Sequence, residues 1–145
     1  MEHVANWDRR LVEFVKEVRG TPFKWGQTDC ASLVRRGLQL MFDEDVWKGH
    51  VNRWKTLKGA AKVSGTTDYE VALLASGAVE VGYHYASSGD VALGPQEDEH
   101  GMLQMALLVP TRKAMTATPL VGVEIVDKLM LEDGTLFFRY GVKTE

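Results

Sequence analysis

The 145 residues include four prolines and only one cysteine. One cysteine excludes an intrachain disulfide, and it equally excludes the paired-cysteine spacings of structural zinc sites. The four histidines, His3, His50, His84 and His100, stand far apart and give no HExxH-type pair, so neither a metal site nor a cofactor is expected. An excess of one charge is missing too. Seventeen Lys and Arg against twenty Asp and Glu leave a formal charge of -3 with the positive residues scattered, which is unlike the footprint of a nucleic-acid binder. No segment approaches the ~20 apolar residues of a membrane span. The opening "MEHVANWDRRLVEFV" carries charges where a signal peptide needs an unbroken apolar stretch. The expectation is a chain made in a cytoplasm with no signal peptide and no membrane or nucleic-acid partner, which would need a carrier to act outside a cell.

What is present fits one domain spanning 1–145. With 45% hydrophobic residues, a chain of this length can bury a core without covalent staples. No repeat, low-complexity tract or linker divides it. In "NWDRRLVEFVKEVRG", Trp7, Leu11, Phe14, Val15 and Val18 recur at helical spacing, with Asn6 placed to cap the start and Gly20 to end it. After Thr21–Pro22, "PFKWGQT" reads as a tight loop leading to Asp29, a good N-cap. From Cys30 onward, Leu33, Val34, Leu38, Met41 and Phe42 mark a second helix with an apolar face, which makes it the central, buried one. Weaker signals follow. Trp54, Leu57 and Ala61 suggest a short helix, and Asp68 begins another through Val71 and Leu74 to Gly77.

Beyond Gly77 the pattern turns to short strand-like runs: "AVEVGYHY", "GDVAL", "MLQMALLVP", "LVGVEIV" and "TLFFRY", the last joined to "KLMLE" through a hairpin turn at Asp133–Gly134. Helices first and strands afterwards predict an α+β fold, with N-terminal helices packed on one face of a small antiparallel C-terminal sheet.

Cys30 is expected in the first turn of the second helix. Backbone N–H groups at a helix N-terminus supply partial positive charge that favours a thiolate, and the same groups can bind the oxyanion of an acyl-transfer intermediate. A nucleophilic cysteine also needs a general base. His100, just ahead of "MLQMALLV", is the best candidate and His84 the alternative, while His3 and His50 sit in segments with no evident reason to approach Cys30. The bland alternatives are a small buried thiol and an ordinary loop histidine.

The stretch "PFKWGQTDCASLV" resembles the nucleophile motif of NlpC-type cell-wall peptidases, small papain-like cysteine peptidases, at Pro22, Phe23, Trp25, Gly26, Asp29, Cys30, Ala31, Leu33 and Val34. Gly89–Asp90–Val91–Ala92–Leu93 looks like the Gly-Asp strand that precedes the histidine strand in that family. "WKGHVNRWKTLKGAAK" is similar to the linker helices of a branch encoded in phage tail operons. The matches cover roughly residues 6 to 110. The resemblance implies hydrolysis of an amide in the peptidoglycan stem peptide, with Cys30 as nucleophile, a histidine as base and a polar residue as orienter. It also implies a place in the virion tail, beside other tail proteins. In the family the histidine opens its strand. Here the equivalent stretch reads Leu103–Gln104–Met105–Ala106–Leu107, with His100 ahead of it and Gln104 and Glu124 as the polar residues in strand positions. Two readings follow: a tail-associated cysteine hydrolase using Cys30 and His100, or a tail component that keeps the peptidase fold as a catalytically inactive scaffold.

Overall fold

The apolar spacing of the first two segments produces two helices in the computed structural model, which describes residues 1–48, 70, 73–97 and 103–142. Helix α1 runs Trp7–Val18 and buries Leu11, Phe14 and Val18. Asn6 precedes it as expected but caps nothing through its side chain. The chain arrives from Val4, whose N–H bonds Met41 O, and bends sharply into the helix. Asn6 takes the left-handed conformation of that bend (φ 60°), one of the few non-glycine residues that does so readily. Helix α2 runs Cys30–Phe42 and buries Ala31, Leu33, Val34, Leu38, Met41 and Phe42.

Six strands follow: β1 Val79–Val81, β2 Val91–Glu97, β3 Leu103–Val109, β4 Lys113–Thr118, β5 Gly122–Asp127 and β6 Leu136–Arg139. They form one sheet in the order β1-β6-β2-β3-β4-β5, and every neighbouring pair is antiparallel. Both helices pack on one face of it, α2 over β3 and β4 and α1 over α2 and β3. The α+β architecture is the one the segment order implied. Alternation along the strands divides the side chains cleanly. Leu103, Met105, Leu107 and Val109 join the core under the helices. Ala106 and Leu108 join a second cluster with Ala92, Ala114 and Phe137 on the outer face.

Close approach of α2 to the sheet depends on Gly37, where a Cβ would overlap the Leu107 side chain. The other critical glycine is Gly89. Its φ of +91° is left-handed, and a Cβ there would come within 2.5 Å of Met41 Cε. Asp90, beside it, is 2% exposed. Its carboxylate accepts hydrogen bonds from Ser87 N (2.8 Å) and from Arg139 Nε (3.0 Å) and Nη2 (2.9 Å), a fork-to-fork pair that ties β6 to the turn before β2. That pairing raises the pKa of Arg139, its guanidinium being held charged by the carboxylate.

Several strand expectations need correction. "AVEVGYHY" is a strand only over Val79–Val81, and Tyr83–Tyr85 forms a 3₁₀ turn. Strand β4, "KAMTAT", was not expected, because its small side chains carry no β-branched or aromatic run. "KLMLE" is not the hairpin partner of "TLFFRY": Lys128–Met130 is a 3₁₀ turn capped by Asp127, and β6 pairs with β1 and β2 instead. The helix expected around Trp54, Leu57 and Ala61 lies outside the described residues, as do Asp68 and Val71. Residues 73–75 are helical, as expected for the end of the next helix. Among the described residues no helix is long and apolar enough to cross a membrane.

Tyr140 closes the core near this helix end. Trp47 Nε1 donates to its hydroxyl at 2.7 Å, and Ser76 Oγ lies 2.6 Å away. Since the Ser76 hydroxyl donates to Leu73 O, the phenol proton goes to Ser76. Burial raises the Tyr140 pKa. Above about pH 10 the unfolded chain therefore releases a phenol proton that the folded chain keeps, so this contribution to stability is complete below pH 10 and lost as pH rises through the folded value. Urea denaturation from pH 8 to 11 checks this, and Tyr140→Phe flattens the alkaline loss. A second expectation concerns the Asp90–Arg139 pair, whose side chains are 3% and 33% exposed. Arg139→Ala strands a buried carboxylate and costs about 3 kcal/mol, whereas Asp90→Ala leaves a guanidinium that water can reach and costs about 2 kcal/mol. Denaturation midpoints of the two variants decide the order.

Candidate active site

The loop before α2 is short, aromatic and wired to itself. Thr28 Oγ1 donates to Pro22 O at 2.7 Å, and Gln27 N and Thr28 N both donate to Lys24 O. Phe23 and Trp25 stack edge to face at 4.6 Å. Arg36, nearly two turns into α2, reaches back to Gln27 O at 2.9 Å. The centre of the arrangement is Asp29, which is 2% exposed. One carboxylate oxygen accepts from Gly26 N (2.6 Å) and Ser32 Oγ (2.7 Å), the other from Ser32 N (3.0 Å). The expected N-cap is therefore present, and it also closes the loop onto the helix.

Cys30 is consequently the first residue of α2. It is partly buried and packs, like Phe23 and Trp25, against the main core. A side chain there stands at the positive end of a thirteen-residue helix, beside N–H groups that have no intrahelical partner by helix geometry. The start of the loop is anchored on the sheet: Gly20 N donates to Val123 O (3.1 Å), and Val123 N donates to Thr21 O (2.9 Å).

The direction of α2 over the sheet decides what faces Cys30. Met41, near the helix C-terminus, sits against Gly89, and Gly89 N donates to Leu108 O at the end of β3. Gly37 sits on Leu107. Helix and strand thus advance together, and the seven residues from Gly37 back to Cys30, about 10 Å of helix, carry the cysteine toward the start of β3 at Leu103.

Of the histidines, His3 stacks between Trp7 and Phe42 at 4.5 and 4.6 Å. Phe42 ends α2, about 18 Å along the helix from Cys30. Partial burial there lowers the His3 pKa, partly offset by Asp90. His84 belongs to the 3₁₀ turn on the outer face of the sheet, so the alternative base is on the wrong side. His50 and His100 lie outside the described residues. Gln104 and Glu124, the polar strand residues, also turn to the outer face, where both line a cavity of about 380 Å³. Gln104 Nε2 donates there to Thr116 Oγ1 and to Ala117 O. Neither can orient an imidazole beside Cys30. The helix-facing positions of β3, β4 and β5 toward that end are Leu103, Met105, Ala117, Val123 and Ile125, all apolar. Among the described residues no group of three or more His, Cys, Asp or Glu could hold a metal ion.

Sequence reasoning missed the second bond of Asp29, to Gly26, and the anchoring of Thr21 on β5. The Asp-Cys pair signals a cap, but nothing local signals a partner about a hundred residues away.

These features define a small α+β protein with a cysteine at the tip of its central helix, held by a capped aromatic loop. The chain belongs to the family described as a domain of unknown function, DUF6950, which matches residues 2–131. Comparison with curated proteins gives no match.

If Asp29 carries the loop as described, Asp29→Ala removes a cap and strands the Gly26 N–H, costing about 2–4 kcal/mol. Asp29→Asn, which still accepts one bond from Ser32 N, costs less. Urea denaturation followed by tryptophan fluorescence measures both, and equal stability of Asp29→Ala and the parent chain would refute the assignment.

Proposed function

We propose that the protein is a cysteine hydrolase of the NlpC-like, papain-like type, acting on an amide of the peptidoglycan stem peptide and carried in a phage tail. The observation that supports this most directly is the position of Cys30 as first residue of α2, behind an Asp29-closed loop and aimed at the start of β3. The chemistry needs only a nucleophile, a base and oxyanion donors. Cys30 Sγ gives its proton to His100 and attacks the amide carbon, while N–H groups of the helix end receive the oxyanion. The C–N bond then breaks, and the imidazolium returns the proton to the leaving amine. Water hydrolyses the thioester, which restores the thiol and releases a carboxylic acid. His100 is three Cα steps from Leu103, so its Cα has a reach of at most about 11 Å from that end of β3.

A second reading is favoured by one specific observation. The sheet positions under Cys30 are apolar, so no described strand residue supplies the polar orienter of a triad. The unit proposed is accordingly a Cys–His dyad, and the alternative is a tail component that retains the fold as a scaffold.

Purified full-length protein incubated with stem peptide or peptidoglycan, with new amino groups counted, separates the two. A dyad hydrolase releases amine, loses about 10²- to 10⁴-fold in rate on His100→Gln, and is silent as Cys30→Ala. Its thiol reacts with iodoacetamide well below the free-thiol value of about 8.5. A chain that releases no amine, alkylates only near that value, and assembles into fully infectious virions as Cys30→Ser is a scaffold.

A further inference from the structure

The positive charges, scattered in the sequence, do not stay scattered in the fold. On the outer face of the sheet, away from Cys30, a cleft of about 510 Å³ opens between the β3–β4 turn and the two 3₁₀ turns. Arg112 and Lys128 line it; Lys113 and Asp127 border it too, but their register opposite Val109 turns their side chains to the helix-facing side of the sheet.

The cleft is built, not merely charged. Lys128 N donates to Arg112 O at 2.9 Å, stitching the hairpin turn to the 3₁₀ turn. The Lys128 ammonium is fixed by Tyr83 O (2.7 Å) and Ala86 O (2.8 Å) and lies 4.3 Å from the Tyr83 ring centroid, which leaves one of its three donors uncommitted to these carbonyls. Lys113 Nζ is 3.5 Å from Asp127 Oδ2. Arg112, the residue at the rim, makes no side-chain hydrogen bond to any described residue, and the Ser88 hydroxyl at the same cleft is likewise uncommitted. The turn that presents Arg112 is strained: Thr111 and Arg112 have φ of 71° and 60°, left-handed values that a β-branched threonine above all rarely takes. Residues held in such conformations cluster where a side chain has a task.

We propose that this cleft binds a phosphate monoester. With Lys113 and Asp127 neutralising each other on the other side of the sheet, Arg112 and Lys128 leave a double positive charge, which a monoester dianion matches and a carboxylate or phosphodiester monoanion does not. The Arg112 fork takes two phosphate oxygens, with the remaining Lys128 donor and the Ser88 hydroxyl as further donors. The volume is that of a small-molecule site, so the phosphate comes with an organic group attached. The proposal is independent of the chemistry at Cys30, since the two sites lie on opposite faces of the sheet, and either can fail alone.

The test is a titration of the ¹⁵N-labelled full chain with glycerol 2-phosphate, with inorganic phosphate, diethyl phosphate and acetate run in parallel. Glycerol 2-phosphate is expected to shift the Ser88 and Arg112 amides saturably at about 1 mM or below, more tightly than inorganic phosphate. Diethyl phosphate and acetate are expected to bind at least about fivefold more weakly. Arg112→Asn keeps a residue that tolerates the left-handed turn while removing the fork, and Ser88→Ala removes the hydroxyl donor. Each weakens binding about fivefold or more with an otherwise unchanged spectrum. Three results overturn the proposal: no saturable shift up to about 20 mM, equal binding of the monoanions, or affinity untouched by both substitutions.

Discussion

One buried carboxylate organises the part of this protein that bears on its chemistry. Asp29 satisfies the first turn of α2 and the Gly26 N–H at once, so loop and helix form as a unit. A cap alone would have fixed where α2 begins. The extra bond to Gly26 also fixes how the aromatic loop meets the helix, and hence what surrounds Cys30. A helix end is a useful place for a thiol only when the chain leading to it is held still, and here the loop is tied at Gly26, Lys24, Gln27 and Thr28 as well as on β5.

The sheet beneath this helix is divided in character. Its inner face is apolar where the helices cover it and supports α1 and α2 by burial, the dominant favourable term in folding. Its outer face is floored by alanines and carries most of the polar inventory of the strands, Gln104, Thr116 and Glu124 among it. Strand alternation forces that separation, because a polar residue shifted by one position changes face entirely. Catalytic function at Cys30 would therefore draw little from the strand interiors and depend on what the chain supplies at the strand beginnings. The outer face, in contrast, has room and charge for ligands of its own.

Much of the helical half was legible in the sequence because its determinants are local. The spacing from Leu33 to Phe42 and the Asp29–Cys30 step each act within a turn or two of chain, and the structure agrees with both. The sheet was legible in class and incomplete in detail. Strand β4 carries Lys, Ala, Met and Thr, and its pairing comes from neighbours, with no propensity signal of its own. Lys128–Met130 looked like a strand by composition, yet the Asp127 carboxylate accepts the Leu129 N–H and bends the chain into a turn. The partners of Asp90 and Tyr140 lie 49 and 93 positions away, and no spacing rule reaches so far. Within the candidate site Cys30 was found by its motif, while the outward orientation of Gln104 and Glu124 needed the register of β3 through β5. His100 falls outside the described residues, so the base rests on the sequence alone.

The tie between Thr21 and Val123 has a consequence for the molecule among its own copies. β5 is an outermost strand, and a bare strand edge invites pairing with another chain. Gly20 and Thr21 occupy the backbone groups of Val123, so a segment shared with the cysteine loop also blunts this margin where β5 starts. At the opposite margin β1 is only three residues long and offers little to a recruit. Each margin of the sheet thus presents a shortened template to a second copy of the chain.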